Sequence, residues 1–312
     1  DSPWVGWVGL PSEELTEKDR QRIAAELKAK FNCVPVFLTA AEITGYYAHF
    51  ANKTIWPLFH YFPNKTEYSD ESWATYKAVN RKFFDAVAPL VKPGDLVWIH
   101  DYQLMLLPEL IKGAFPDNRV GFFLHIPFPS YELFRLMIWR NEILEGILGA
   151  DLIGFHTFDY LRHFTSAVLR ILGLDTVFNR IEYEGRVVRV GTFPMGVDFP
   201  YFAKDFTAKR FHDLDAQIKA TKKDQQYILS VDRLDYTKGI PERIKAFGRF
   251  LADNPDYRGK VRLNLIVAPS RTDVDSYEEL KKVITEEVSE VNGKYGSMDW
   301  MPIWYMFQSF SQ

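Results

Sequence analysis

The sequence predicts an α/β protein built from parallel sheets. Short apolar runs of strand length alternate, over nearly all 312 residues, with longer segments whose apolar residues recur at helical spacing. Strands and helices in alternation are typical of a parallel sheet with helices on both faces. The chain is long enough for about two domains, at roughly 100–200 residues each.

Six apolar runs predict the strands of a first domain, and the segments between them predict its helices. The helix over residues 14–31 is the clearest, because Ile23, Leu27 and Phe31 fall on one face. The predicted strands are 4–8, 34–38, 96–99, 120–124, 152–155 and 187–193, and further helices are predicted at 104–115 and 133–148.

A change in composition predicts where this domain ends. Residues 203–226 are rich in Lys, Asp and Ala and poor in large apolar residues, which is typical of a linker between a domain at 1–202 and a second at 227–312. In the second domain we predict strands at 227–231 and 261–267 and helices at 241–251 and 273–291. So few strands would make an unusually small parallel sheet, so we expect this domain to be incomplete in the chain.

Charge and composition exclude several classes of function. The 38 basic and 41 acidic residues give a net charge of -3, which argues against a nucleic-acid partner held by bulk electrostatics. Cys33 is the only cysteine, which excludes a disulfide framework and a thiolate metal site and fits a reducing compartment. No run of 18 apolar residues occurs. We therefore predict a soluble, cytoplasmic protein with no membrane partner.

Residues 228–239 form a candidate anion site. An apolar run ends at Asp232 and Arg233, and Lys238 and Gly239 precede a helical pattern. A strand tip followed by a helix N-terminus directs backbone N–H groups and a partial positive charge at one point, which suits phosphate. An ordinary surface loop with two solvated basic residues explains the local sequence equally well.

Polar residues also follow four predicted strands. They are His100-Asp101-Tyr102, His125, His156-Thr157 and, after residues 261–267, Ser270-Arg271. Any one of them could be a cap or a structural hydrogen bond. Because ligands of parallel sheets bind outside the carboxyl ends of the strands, their recurrence, with Arg233 and Lys238 as a fifth case, favours a shared binding site.

The aromatic stretch at residues 46–57 has two interpretations. Aromatic faces with intervening amides suit a sugar, but a chain with 16% aromatic residues also builds ordinary aromatic core. No Gly-x-Gly-x-x-Gly or Gly-Lys-Ser/Thr loop occurs, which disfavours a dinucleotide enzyme or an ordinary kinase. The aspartate pairs at 213/215 and 273/275 fit solvated helix faces, and no His-x-x-x-His pair lies on a clear helix, so we predict no metal.

Six segments together resemble the trehalose-6-phosphate synthase family, in its order and at its spacings. They are residues 47–57, 100–104, 125–130, 154–157, 231–239 and 269–274, and the similarity extends from about Trp4 to the end of the chain. The resemblance implies the GT-B fold, in which two Rossmann-like domains face a cleft. It also implies transfer of glucose from UDP-glucose to glucose-6-phosphate with retention of configuration, giving trehalose-6-phosphate and UDP without a metal or cofactor.

The resemblance assigns expected roles to matched residues. Arg233 and Lys238 would bind the donor diphosphate and stabilise the leaving UDP, and His125 would lie near the transferred glucose. The acceptor would be bound by Tyr47, Trp56, Asp101 and Arg271, of which Asp101 orients the sugar. Asp101, His125, Arg233 and Lys238 are therefore the expected catalytic set. We find no second carboxylate suited to act as a covalent nucleophile, which makes positioning the main expected contribution.

Two alternatives remain open from the sequence. The chain could be a non-catalytic, synthase-like regulatory subunit, or the synthase-like half of a protein fused to a phosphatase domain. Intact Asp101, Arg233, Lys238 and Arg271 favour an enzyme. The family's donor-contacting segments would precede Asp1 and follow Gln312, so we expect an incomplete site. A homo-oligomer or a trehalose-synthesis complex is the expected assembly.

Overall fold

The computed structural model describes residues 2–204, 209–222, 225–269 and 275–309. Its contacts divide the chain into two compact units, Asp1–Gly196 and Val197–Gln312. This division falls before the boundary predicted at residue 202. The predicted linker at 203–226 carries a helix, Lys209–Lys222, which belongs to the second unit.

The first unit contains eight of the strands and the first eight α-helices of the described chain. Its strands are β1 Trp4–Pro11, β2 Cys33–Leu38, β3 Leu96–His100, β4 Arg119–Leu124, β5 Leu152–Phe155, β6 Thr176–Val177, β7 Arg180–Tyr183 and β8 Arg186–Thr192. Its helices are α1 Glu17–Phe31, α2 Ala40–Glu42, α3 Trp56–Phe59, α4 Asp70–Val87, α5 Leu107–Ala114, α6 Tyr131–Phe134, α7 Arg140–Leu148 and α8 Phe158–Leu172. A π-helix, Ile43–Ile55, joins α2 to α3.

The main sheet of this unit has the strand order β3-β4-β5-β8-β7-β6. Strands β3, β4, β5 and β8 are parallel, whereas β6 and β7 are antiparallel, and β1 and β2 form a separate parallel pair. The predicted parallel α/β class is confirmed, and the β6–β7 hairpin was not predicted. Because β3, β4 and β5 are parallel neighbours, the residues that follow them lie at one edge of the sheet.

The predicted helix at 133–148 is wrong as one continuous helix. Helices α6 and α7 are separated by residues 135–139, which make turns instead. In this interval Met137 is fully buried, whereas Leu136 and Ile138 are exposed. The apolar density that suggested one buried helix therefore includes side chains that point to solvent.

Helix α4, which was not predicted from the sequence, fixes the turn that follows β3. The buried Tyr76 hydroxyl donates to the backbone oxygen of Tyr102 at 2.8 Å and accepts from the backbone N–H of Met105 at 3.1 Å. The Asn80 side-chain amide donates to the backbone oxygen of Gln103 at 3.1 Å. These buried bonds hold the backbone immediately after Asp101 in place.

The second unit is a three-stranded parallel sheet with helices. Its strands are β9 Gln226–Arg233, β10 Val261–Ala268 and β11 Ile303–Phe307, and its helices are α9 Phe199–Lys204, α10 Lys209–Lys222, α11 Ile240–Asp253 and α12 Asp275–Tyr295. Residues of α11, α12 and the sheet share one apolar core that includes Ile244, Leu265 and Ile284. No helix of the described ranges is long and apolar enough to cross a membrane.

A close contact between two helices of the first unit gives a stability prediction. A Cβ atom at Gly149, just after α7, would collide with the backbone of Pro108 and Glu109 at the start of α5. We expect Gly149→Ala to lower the free energy of unfolding by about 1–3 kcal/mol, as overpacking does. The exposed Gly113 in α5 has no atom within 4 Å of an added Cβ.

Gly113→Ala is the matched control and should be neutral or stabilising by up to about 1 kcal/mol, since alanine favours a helix over glycine. Urea unfolding of the two variants measures both effects. Equal stability of the two variants would show that the backbones of α5 and α7 do not approach closely at Gly149.

Candidate active site

Three histidines and an aspartate meet at the carboxyl edge of β3, β4 and β5. His100 is the last residue of β3 and Asp101 follows it, while His125 and His156 follow β4 and β5. The His125 and His156 rings lie 5.7 Å apart between centroids, and those of His100 and His125 lie 5.2 Å apart. The structure therefore brings together the polar residues predicted at these three strand ends.

Asp101 has a strained backbone. Its φ of 72° and ψ of 174° lie in a region that is essentially restricted to glycine. The conformation is held from both sides, because the Asp101 N–H donates to the oxygen of Phe123 at 2.8 Å and the His125 N–H donates to Oδ1 of Asp101 at 3.1 Å. Strain of this kind persists only where the surroundings enforce it, and it is concentrated at functional sites.

Burial changes the proton affinities of this cluster. It raises the pKa of Asp101, and backbone N–H groups of Tyr102 and His125 partly offset the shift. Burial lowers the pKa of His100, and the neighbouring His125 adds to the effect; burial and His156 lower the pKa of His125 in the same way. At neutral pH, His100 and His125 are therefore neutral and can exchange hydrogen bonds with uncharged groups.

The aromatic stretch is divided between core and site. Tyr46 and Phe50 are buried against Tyr76, so the core interpretation is correct for them. Trp56, which is also buried, packs against His60 in a tilted arrangement with 4.0 Å between ring centroids, and its ring lies 5.7 Å from that of Tyr102.

Tyr47 is half-buried in the π-helix, with its ring 5.5 Å from that of Trp7. The Tyr102 hydroxyl donates to Oδ1 of Asn52 at 3.0 Å. This bond attaches the π-helix to the turn that follows Asp101, whereas the ring contact of Tyr47 attaches it to β1. π-Helices of any length are rare and often occur at functional sites.

In the second unit, Arg233 and Lys238 lie on either side of a tight loop. Arg233 ends β9, and Lys238 ends a 3₁₀ turn, Tyr236–Lys238, immediately before α11. The buried Asp235 fixes this turn by accepting from the N–H and hydroxyl of Thr237 at 3.0 and 2.9 Å. Gly239 then takes a φ of 61°, which permits the sharp entry into the helix. The two exposed cations and the N-terminus of α11 are close in sequence and carry positive charge of a kind that suits an anion.

Arg243 supports this loop, a role that was not predicted from the sequence. Its guanidinium donates to Oδ2 of Asp232 at 2.5 Å, to the hydroxyl of Ser230, and to the backbone oxygen of Lys238 at 3.2 Å. It thereby joins β9 to α11 and neutralises the carboxylate next to Arg233. An arginine one turn into a helix is too common for the sequence to indicate this role.

One predicted site residue has no described position, since Arg271 lies outside the described residues. In the described ranges, no group of three His, Cys, Asp or Glu side chains is arranged to bind a metal ion. Chemically, the edge of the first sheet offers a carboxylate, neutral imidazoles and aromatic faces, a combination suited to a polyol. The loop of the second unit offers fixed positive charge suited to phosphate.

The chain matches the sequence profile described as "Glycosyltransferase family 20" over residues 1–312. The chain belongs to glycosyltransferase family 20. This family-20 chain is 44% identical over 306 residues to "Alpha,alpha-trehalose-phosphate synthase [UDP-forming] A" of Dictyostelium discoideum. The alignment covers 98% of the chain and 41% of that relative. The family-20 chain therefore spans less than half the length of this relative.

Two solved structures are similar to the family-20 chain over most of its length. One is an alpha,alpha-trehalose-phosphate synthase (UDP-forming) from Burkholderia xenovorans in complex with glucose-6-phosphate, with a TM-score of 0.83, 31% identity, and coverage of 90% of this chain and 63% of that one. The other is the N-terminal domain of the Candida albicans trehalose-6-phosphate phosphatase, with a TM-score of 0.89, 30% identity, and coverage of 99% and 65%. The predicted GT-B fold class and the resemblance to trehalose-6-phosphate synthases are confirmed.

The strain at Asp101 gives a prediction that separates stability from function. Asp101→Gly and Asp101→Ala both remove the carboxylate, but only glycine relieves the positive φ. We expect the glycine variant to unfold with a free energy about 1–2 kcal/mol higher than the alanine variant. Thermal or urea unfolding measures the difference. Equal stabilities would mean that the backbone at Asp101 is unstrained.

The lowered pKa values of His100 and His125 predict how stability depends on pH. As pH falls below the ordinary histidine pKa of 6.5, these two histidines bind protons more readily in the unfolded chain than in the folded one. The free energy of unfolding therefore falls as pH falls below about 6.5. His125→Gln should reduce this dependence. The raised pKa of Asp101 acts with the opposite sign, because acid relieves the cost of its burial.

Urea unfolding of wild type and His125→Gln at about pH 7.5 and about pH 5.5 tests this dependence. His212→Gln, at an exposed position in the second unit, is the control and should keep the pH dependence of the wild type. Identical pH dependence of wild type and His125→Gln would contradict the prediction.

Proposed function

We propose that the chain provides the catalytic groups of an alpha,alpha-trehalose-phosphate synthase. The reaction is transfer of glucose from UDP-glucose to glucose-6-phosphate with retention of configuration, giving trehalose-6-phosphate and UDP. The observation that carries the proposal is Asp101, a strained, largely buried carboxylate held against His125 at the edge where polyol-binding groups converge. The substrates are inferred from the relatives, which include UDP-forming trehalose-phosphate synthases and one such synthase solved with glucose-6-phosphate.

In this proposal Arg233 and Lys238 bind the donor diphosphate. Negative charge grows on UDP as the glycosidic bond breaks, and fixed cations stabilise that charge without a metal. Arg243 contributes indirectly, because it neutralises Asp232 and so preserves the positive potential of the loop. His125, neutral at the working pH, offers a ring nitrogen to a hydroxyl of the transferred glucose.

The acceptor is assigned to the first unit and to Arg271. Asp101 orients the acceptor sugar by accepting from its hydroxyls, and Tyr47 and Trp56 supply amphipathic aromatic groups. Arg271 would bind the acceptor phosphate through its planar donor fork. No covalent nucleophile is assigned, so the acceptor attacks from the face that UDP leaves, and catalysis depends on positioning. No metal or cofactor is part of the proposal.

A second candidate is a non-catalytic synthase-like part of a larger protein. It is favoured by the similarity to the N-terminal domain of a trehalose-6-phosphate phosphatase. The presence of Asp101, His125, Arg233 and Lys238 in one chain supports the catalytic alternative. A site that had lost its activity would not require a strained aspartate. The cytoplasmic location and the assembly into a homo-oligomer or a trehalose-synthesis complex stay predictions.

The deciding experiment is UDP release from UDP-glucose, assayed on the full-length protein with and without glucose-6-phosphate. Acceptor-dependent release is the expected result. If a folded protein that binds UDP shows no acceptor-dependent release, the proposed synthase activity is wrong and the non-catalytic alternative is favoured.

A charge substitution tests the donor loop. We expect Arg233→Gln to weaken UDP binding by about 1.5–3 kcal/mol, the range for a hydrogen bond to a charged group. Arg249→Gln is the matched control, since Arg249 is an exposed arginine of α11 that pairs with Asp253. Calorimetric titration with UDP measures both variants. An equal loss of UDP affinity in both variants would show that Arg233 acts only through the net charge of the protein and does not contact the diphosphate.

A further inference from the structure

His100 is a partly buried histidine at the end of β3, and the proposed reaction assigns it no role. Its Nδ1 lies 3.0 Å from Nε2 of His125, a hydrogen-bonding distance between two imidazole rings. Both rings are neutral, so one must donate an N–H and the other must accept it. The bond therefore couples the tautomers of the two rings, because the shared proton lies either on Nε2 of His125 or on Nδ1 of His100.

Two tryptophan rings contact the ring of His100. The Trp4 ring stacks on it with 5.6 Å between centroids and 25° between planes, and the Trp98 ring lies 4.6 Å away. Trp98 belongs to the same strand as His100, and Trp4 belongs to β1. Aromatic contacts on the His100 ring limit its rotation, so its Nδ1 is held toward His125.

We propose that His100 is a positioning residue that accepts the Nε2–H of His125 on its own Nδ1. In this arrangement both rings carry their proton on Nε2, which is the more stable tautomer of a neutral histidine side chain. Nδ1 of His125 is then left as a hydrogen-bond acceptor. Within the described part of the chain no hydrogen bond to this nitrogen is seen, so it is available to a hydroxyl donor.

This assignment rests on the proposed function only for its consequence in catalysis. A sugar hydroxyl donates readily to a neutral ring nitrogen, and a wrong tautomer would present an N–H in the same place. The other groups that face the His125 ring are Phe123 and His156, by ring contact, and the Asp101 carboxylate bonds to its backbone rather than to its ring. Among the described groups, His100 is thus the one bonded to a ring nitrogen of His125.

Two substitutions separate the hydrogen bond from the ring stacking. His100→Asn keeps an acceptor oxygen near the position of Nδ1 but removes the ring. His100→Phe keeps a ring for Trp4 and Trp98 but removes the acceptor. His212→Phe, at an exposed position of the second unit, is the control for loss of a histidine.

The primary measurement is nitrogen NMR of the chain with labelled histidine, which distinguishes protonated from unprotonated ring nitrogens. The His125 signals are assigned by their loss in His125→Gln. We expect wild type, His100→Asn and His212→Phe to show Nε2 of His125 protonated, whereas His100→Phe shows a mixture of tautomers. An unprotonated Nε2 in wild type, or an unchanged tautomer in His100→Phe, would overturn the proposal.

Activity of the full-length protein gives the second readout. His100→Phe should lower kcat by about three- to tenfold, the effect of one neutral hydrogen bond, while His100→Asn stays close to wild type. Equal losses in both variants would show that His100 acts through packing alone. The NMR result does not depend on turnover, so an inactive wild type with the expected tautomer would refute the proposed function and leave the role of His100 intact.

Discussion

The hydrogen bond from the backbone N–H of His125 to the carboxylate of Asp101 is the interaction on which the candidate site depends. It joins the ends of two neighbouring parallel strands at the point where each stops pairing. With the bond from Asp101 to Phe123, it enforces a backbone conformation that an aspartate otherwise avoids. The conformational strain at Asp101 is offset by the surrounding structure, because Tyr76 and Asn80 of α4 hold the following turn through hydrogen bonds. The carboxylate is thus positioned by the backbone and is not free to rotate away.

Most of the fold could be predicted from the sequence, because strand-length apolar runs and helical periodicity are local properties. The strands at 34–38, 120–124 and 152–155 agree with β2, β4 and β5, and the alternation gave the parallel class. The break between α6 and α7 could not be predicted, since it depends on which apolar side chains, such as Met137, find space in the core. Helix α4 was missed although its packing decides where Asp101 lies.

The candidate site was predictable only in part, for the same reason. Polar residues at strand ends indicated that His100, Asp101, His125 and His156 would meet, because parallel strands bring their carboxyl ends to one edge. The strain at Asp101 and the bond between the two histidines depend on exact distances between strands, and no sequence pattern encodes them. Arg243 was missed because its partners Asp232 and Lys238 come close to it only when β9 and α11 pack together.

The exposure of Arg233 and Lys238 has a consequence for how the loop before α11 and the strand-end cluster at Asp101 each respond to ionic strength. Charges that face water are screened by mobile ions within about 10 Å at roughly 0.1 M salt, whereas hydrogen bonds to a buried carboxylate are screened much less. Attraction of an anion to the loop before α11 should therefore weaken steadily with added salt. The hydrogen bonds of the Asp101 carboxylate should hardly change, so the response to added salt distinguishes the loop of the second unit from the strand-end cluster of the first.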